Sequence, residues 1–169
     1  MKPTRTIAAV IVFLTVGAGG WLFATSNTAA KMAPDVTYTL LDGRTSSLAA
    51  LRGQVVLVNF WATSCASCVH EMPQMAATHA KFNAQGYQML AVAMRYDPPA
   101  NVIRFAETQR LPFGVVIDNT GAVAKGFGSV EVTPTSVLIN KRGEIVKRFV
   151  GEPDFAALNE LIEKLLAQT

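Results

Sequence analysis

Two thiols set three residues apart are the feature of this chain with the clearest chemistry. They lie in Cys65-Ala66-Ser67-Cys68 and are the only cysteines among 169 residues. The pair follows an apolar run and opens a segment with helical character. At a helix N-terminus the unpaired N–H groups and the macrodipole favour an anion, so a thiolate at Cys65 forms readily. Cys65 can attack a disulfide and form a mixed disulfide, which Cys68, one turn on, resolves. This exchange needs no metal and no organic cofactor. Other uses of the same thiols compete with it. A purely structural disulfide closing so short a loop stabilises little. A zinc set of Cys65, Cys68, His70 and His79 has the right residue types, but Cys68 and His70 point apart on a helix. Soft thiolates suit Cu(I), which leaves a Cu(I)-binding metallochaperone as an alternative. Met72 and Met75 read as core rather than as copper ligands. A peroxide-reducing antioxidant calls for Thr three residues before the cysteine, where this chain has Ala62; Thr63 is two before it.

The elements that must position the pair read as alternating strands and helices. Val55–Trp61 (VVLVNFW) is apolar and rich in β-branched residues, as in a strand buried on both faces. A helix follows from Cys65 to about Ala84, with Pro73 kinking it. Strands are expected at Val36–Leu40, Tyr87–Met94 and Phe113–Ile117, a helical turn at Ser47–Leu51 and a brief helix over 119–126. A helix at Pro99–Gln109 has Val102, Ile103 and Phe105 to bury. Thr135–Ile139 and Ile145–Val150 form an antiparallel hairpin through Asn140-Lys141-Arg142-Gly143. Pro153–Ala167 is an amphipathic helix with Pro153 in its first turn and a stripe of Phe155, Leu158, Leu161, Ile162, Leu165 and Leu166. The fold class is α/β: a mixed central sheet with helices on both faces.

The N-terminus reads as a membrane address. Lys2 and Arg5 precede an uncharged apolar run over 7–24, which fits a signal anchor spanning the membrane once, or a cleaved signal peptide. The basic region is 1–6, a small polar linker covers 25–34, and one domain occupies 35–169. Either reading of the run places that domain outside the cytoplasm, facing the periplasm from a bacterial inner membrane. A cysteine pair can cycle through a disulfide there. Formal net charge is +3, and Lys2 and Arg5 supply most of it, so the body carries no cationic patch for nucleic acid. A monomer is expected.

Asn59-Phe60-Trp61-Ala62-Thr63-Ser64-Cys65-Ala66-Ser67-Cys68, followed by Glu71-Met72-Pro73, resembles the active-site segment of membrane-anchored thioredoxin-like proteins of the TlpA/ResA type. Val132-Thr133-Pro134-Thr135-Ser136-Val137-Leu138-Ile139 resembles the cis-proline segment of the same family. The resemblance covers about residues 35–167 and implies a thioredoxin-like fold and thiol–disulfide oxidoreductase activity. It implies Cys65 as the exposed nucleophile, Cys68 as the buried resolving thiol, and Pro134 as a cis-proline facing the disulfide. Thr133 would offer backbone hydrogen bonds to an extended substrate, and Trp61 would be an aromatic beside the site. Protein thiols and disulfides are the implied partners, in cytochrome c maturation or copper-site assembly.

The departures carry information. Ser64 stands where the family usually has Trp, so an apolar docking surface is lost there and the partner contact changes. Cytosolic thioredoxins carry a buried Asp at the place of Asn59, which cannot accept a proton. Asp97 is the nearest acidic candidate for tuning the thiol pKa. Ala66-Ser67 has no His to stabilise a thiolate, which favours reduction over oxidation of substrates. No dinucleotide fingerprint G-x-G-x-x-G occurs, so electrons are expected from a membrane donor of the thiol-transporting type.

Overall fold

Every residue of Val55–Trp61 is buried, which requires a central strand covered on both faces. The computed structural model describes residues 31–168. The apolar run over 7–24 and most of the linker lie outside the described residues. Among the described residues no helix is long and apolar enough to cross a membrane.

The strands are β1 (Thr37–Thr39), β2 (Thr45–Ser47), β3 (Val55–Trp61), β4 (Tyr87–Ala93), β5 (Gly114–Ile117), β6 (Thr135–Ile139) and β7 (Ile145–Val150). The helices are α1 (Ala66–Phe82), α2 (Pro99–Gln109), α3 (Ala122–Gly126) and α4 (Phe155–Leu166), with a 3₁₀ turn at Leu48–Leu51. The main sheet has the order β5-β4-β3-β6-β7. Its β3–β4 and β4–β5 pairs are parallel, and its β3–β6 and β6–β7 pairs are antiparallel. The expected mixed sheet is therefore present, and so is the hairpin.

The two-residue period of β3 divides the core. Val55, Leu57 and Trp61 face α1, α2 and α4, and they pack with Cys68, Met72, Met75, Val102, Leu158 and Ile162. Val56, Val58 and Phe60 face the opposite layer, where α3, the 3₁₀ turn and the β1–β2 hairpin supply Val123, Ala124, Leu48 and Tyr38. Helices thus cover both faces, but three of the four lie on one.

Several expectations need correction. The strand β2 is short, polar and exposed or half-buried, so it has no apolar pattern to announce it; its register with β1 makes it visible. Ile103 is exposed, because Val102 and Ala106 are the buried positions of α2. Pro153 precedes α4 instead of opening it. Asp154 is the cap, accepting hydrogen bonds from Ala156 N–H at 2.9 Å and Ala157 N–H at 3.1 Å, two donors that a helix start leaves unpaired. The last residues of the expected linker are docked. Lys31 C=O accepts from Ile145 N–H at 2.8 Å, and Ala33 N–H donates to Gly143 C=O at 2.9 Å. Gly143, at φ +80°, holds the left-handed turn of the hairpin, where a Cβ would strike the Arg52 guanidinium.

His79 is buried on the apolar stripe of α1 between the rings of Tyr87 at 6.2 Å and Phe113 at 5.8 Å. Burial holds its pKa below the ordinary histidine value. The fold therefore refuses a proton that the unfolded chain accepts below a pH of about 6.5. Stability from this residue is present above that pH and is lost as the pH falls. In urea unfolding at pH 7.5 and pH 5, the wild type should lose stability relative to His79→Gln on acidification. Parallel behaviour of the two proteins would show that the ring is not desolvated.

Candidate functional site

Helix α1 starts one residue after Cys65, and Cys65 is its cap. Its backbone is extended, and its sulfur accepts a hydrogen bond from Cys68 N–H at 3.2 Å. Ser67 Oγ lies 3.5 Å from the same sulfur. Cys65 and Cys68 are joined as a disulfide, with Cα atoms 5.2 Å apart. Cys68 is fully buried, whereas Cys65 is half-buried. The sulfur open to an incoming partner is thus Cys65, and Cys68 is protected behind it. The helix N-terminus favours negative charge on Cys65 once the bond opens.

Beneath the pair lies a polar cluster inside the apolar core. Asn59, on the β3 face that meets α1, donates from Nδ2 to Glu71 Oε1 at 2.8 Å and to Ser136 Oγ at 2.9 Å. The β3–β6 register sets Asn59 directly opposite Ser136. Glu71 follows Cys68 by three residues, so the two share a face of α1. All three polar side chains are fully buried. Among the described residues Glu71 Oε2 and Asn59 Oδ1 have no hydrogen-bond partner. Burial pushes the Glu71 pKa up to about 7, the Asn59 hydrogen bond opposes the rise, and the negative charge of Glu152 adds to it. Glu71 is thus a buried acid on the cysteine helix whose burial keeps it protonated to near neutrality.

Two loops close over the end of β3. Asp97 is buried and accepts from Thr63 N–H and from Thr63 Oγ1, both at 2.6 Å. Thr133-Pro134 is a cis peptide, and Pro134 C=O accepts from Gly151 N–H at 2.8 Å. Since Phe60 pairs with Thr135 at the end of the β3–β6 ladder, Thr133 and Pro134 sit at the same end of the sheet as the cysteines.

The structure brings Cys65, Cys68, Asn59, Ser64, Asp97, Thr133 and Pro134 to this one end. Asp97 reaches Thr63 rather than a cysteine, so it holds the loop before the nucleophile. Trp61 corrects an expectation. It is wholly buried, with its ring 5.2 Å from Phe105, because the odd positions of β3 point into the helix-covered core. It supports the site from below and presents no surface to a substrate. The zinc set does not assemble: His70 Nδ1 pairs with Glu152 at 3.1 Å, and His79 is buried between aromatic rings. Among the described residues no group of three or more His, Cys, Asp or Glu could hold a metal ion.

Glu71 is the residue that sequence reasoning passed over. Two signals pointed to it. It lies on the α1 face of Cys68, Met72 and Met75, and Asn59 is the one polar residue in the apolar run of β3.

Comparison with known proteins agrees with this geometry. The redoxin family model matches residues 28–162. Thiol-disulfide oxidoreductase ResA of Geobacillus thermodenitrificans is 38% identical over 149 residues, 84% of each chain. ResA of Bacillus thuringiensis subsp. konkukian is 31% identical over 173 residues, 98% of this chain and 99% of that one. The solution structure of a candidate thioredoxin from Neisseria meningitidis superposes with TM-score 0.76 at 43% identity, covering 83% of this chain and 93% of that one. The crystal structure of a candidate thiol:disulfide interchange protein DsbE from Chlorobium tepidum gives TM-score 0.75 at 30% identity, covering 82% and 97%. The fold is therefore thioredoxin-like, and neither the copper nor the peroxide alternative is favoured.

In the disulfide form, Glu71 opposes stability as the pH rises. Its folded pKa of about 7 lies above the ordinary 4.5, so the unfolded chain gives up the proton first. Stability from the neutral acid is complete below about 4.5 and is lost as the pH rises through about 7. Glu71→Gln, which cannot ionise, should gain about 1 kcal/mol or more over the wild type between pH 5 and pH 8 in urea unfolding, after allowing for screening. A parallel pH dependence of the two proteins over this range would mean that the carboxylate is solvated.

Proposed function

Because the chain belongs to the redoxin family and is a thiol–disulfide oxidoreductase acting through Cys65 and Cys68, we propose that it reduces protein disulfides outside the cytoplasm. The observation that carries the reductive direction is how little holds the sulfur of Cys65. A strong oxidant of this chemistry owes its power to a stabilised reduced form. Here the sulfur of Cys65 receives one backbone N–H, from Cys68, and a contact from Ser67. Ala66-Ser67 places no His between the cysteines, and His70 is turned to Glu152. Both effects weaken the thiolate form and favour handing its electrons on.

The reaction proceeds in two exchanges. In the reduced protein the Cys65 thiolate attacks one sulfur of the substrate disulfide. The substrate S–S bond breaks, a Cys65–substrate mixed disulfide forms, and the first substrate thiolate leaves. Cys68 then loses its proton and attacks Cys65 Sγ, which closes the Cys65–Cys68 disulfide and releases the second substrate thiolate. Two electrons pass to the substrate. Glu71, with Oε2 free and a pKa near neutrality, is placed to take the Cys68 proton. The cysteine pair is the whole redox apparatus, with no organic cofactor and no metal.

The apolar run over 7–24 behind Lys2 and Arg5 supports a single-pass anchor in a bacterial inner membrane with the domain in the periplasm, a cleaved form being the other outcome. Regeneration then falls to a membrane donor that carries electrons across. Substrates are protein disulfides of the kind met in cytochrome c maturation or copper-site assembly, and the domain acts as a monomer.

Cys65→Ser should abolish reduction of insulin disulfides, while Cys68→Ser should accumulate a mixed disulfide visible by mass under non-reducing conditions. Retained turnover by Cys65→Ser would overturn this assignment of the nucleophile.

A further inference from the structure

Three of the large hydrophobic side chains stand out as the most exposed among the described residues: Val150 at 66%, Val132 at 58% and Tyr96 at 56%. They come from different parts of the chain but converge on one short segment. Val132 directly precedes Thr133. Val150 pairs with Thr135 in the β6–β7 ladder. Tyr96 Oη lies 3.3 Å from Thr133 Oγ1. All three thus flank Thr133–Thr135, at the end of the sheet that carries the cysteines.

Tyr96 is also held in place. Its neighbour Asp97 receives both hydrogen bonds from Thr63, two residues before Cys65. Met94 N–H donates to Trp61 C=O at 2.9 Å, which continues the β3–β4 pairing to the foot of the loop. The segment Met94–Asp97 is therefore tied to the loop before the nucleophile and to the Thr133-Pro134 loop together. Ser64, just before the nucleophile, presents a small hydroxyl and no apolar surface. Tyr96 presents an exposed aromatic ring from another loop at the same end of the sheet, its hydroxyl 3.3 Å from Thr133 Oγ1. A rigid amphipathic ring gives contact area at low cost in conformational entropy.

We propose that Tyr96, with Val132 beside it, selects the substrate: it receives an apolar side chain adjacent to a cysteine in an extended polypeptide disulfide. The proposal rests on the reading that reduced Cys65 exchanges with protein disulfides. Tyr96 touches the substrate beside the reacting sulfurs and takes no part in the exchange itself.

The test uses pre-reduced purified protein and two disulfide-bridged peptides of equal length, one with Phe beside each cysteine and one with Ser. The wild type should show a higher kcat/KM for the Phe peptide, carried by KM. Tyr96→Ala should reduce that preference about fivefold or more, and Tyr96→Phe, which keeps the ring and loses the hydroxyl, should retain it. Val132→Ser, a milder surface change, should lower the preference in the same direction. No preference in the wild type, an unchanged preference in Tyr96→Ala, or loss in Tyr96→Phe equal to that in Tyr96→Ala would each overturn the proposal; the last would mean that the hydroxyl bond to Thr133 only stitches the loops. Failure of the wild type to reduce either peptide would instead overturn the exchange reading, and this proposal with it.

Discussion

A carboxyl group buried inside an apolar core is the constraint around which this site is arranged. Glu71 is fully buried, one helical turn beyond Cys68, and among the described residues the one hydrogen bond to its carboxyl group comes from the Asn59 amide at 2.8 Å. Burying an ionised carboxylate with so little compensation is costly, so the group stays protonated to near neutral pH. That cost fixes several features of the surrounding structure. Asn59 must sit on the α1 side of β3, and Ser136 must lie directly across from it on β6. A one-residue slip of β3 would turn Asn59 into the opposite core and bring Val58 or Phe60 against the acid.

The same strand links fold and chemistry. Its odd positions pack against α1, α2 and α4, while its even positions pack against the thinner layer of α3 and the β1–β2 hairpin. At its C-terminal end the chain leaves the sheet through Ala62–Ser64 and enters α1 at Cys65, so the nucleophile caps a helix whose interior carries Cys68 and Glu71. The loop after β4 then fixes this exit through Asp97 on Thr63, and the Thr133-Pro134 loop lies at the same end of the sheet. The sulfur of Cys65 is left half-open, and its partner sulfur is sealed behind it.

Much of this could be read from residue order. The run VVLVNFW, the C-x-x-C spacing, the Thr135–Val150 hairpin and the stripe of α4 each carry a strong local pattern, and the structure keeps their boundaries within one or two residues. The two cysteines and the cis peptide before Pro134 stand where the motifs placed them. What escaped had patterns that mislead. Glutamate and histidine in a helix usually face water, so residue type alone does not announce Glu71 and His79, which both lie on the buried face of α1. Trp61 read as an aromatic beside the site, because the motif gives its neighbourhood but not the side of the strand it occupies. Thr45–Ser47 has no apolar pattern at all. Tyr96 gave no local signal, since its place beside Thr133 depends on contacts 37 residues apart.

In the reductive direction this dithiol hands two electrons to its substrates: the Cys65 sulfur draws one backbone N–H from Cys68, and no His stands between the cysteines to hold the reduced form. The direct measurement is the midpoint potential of the Cys65/Cys68 couple at pH 7, by equilibrating the protein against glutathione or dithiothreitol mixtures and counting free thiols by mass. The account predicts a value below about −220 mV, in the range of reducing members of this chemistry. A value above about −150 mV would make the protein a disulfide donor and contradict the account.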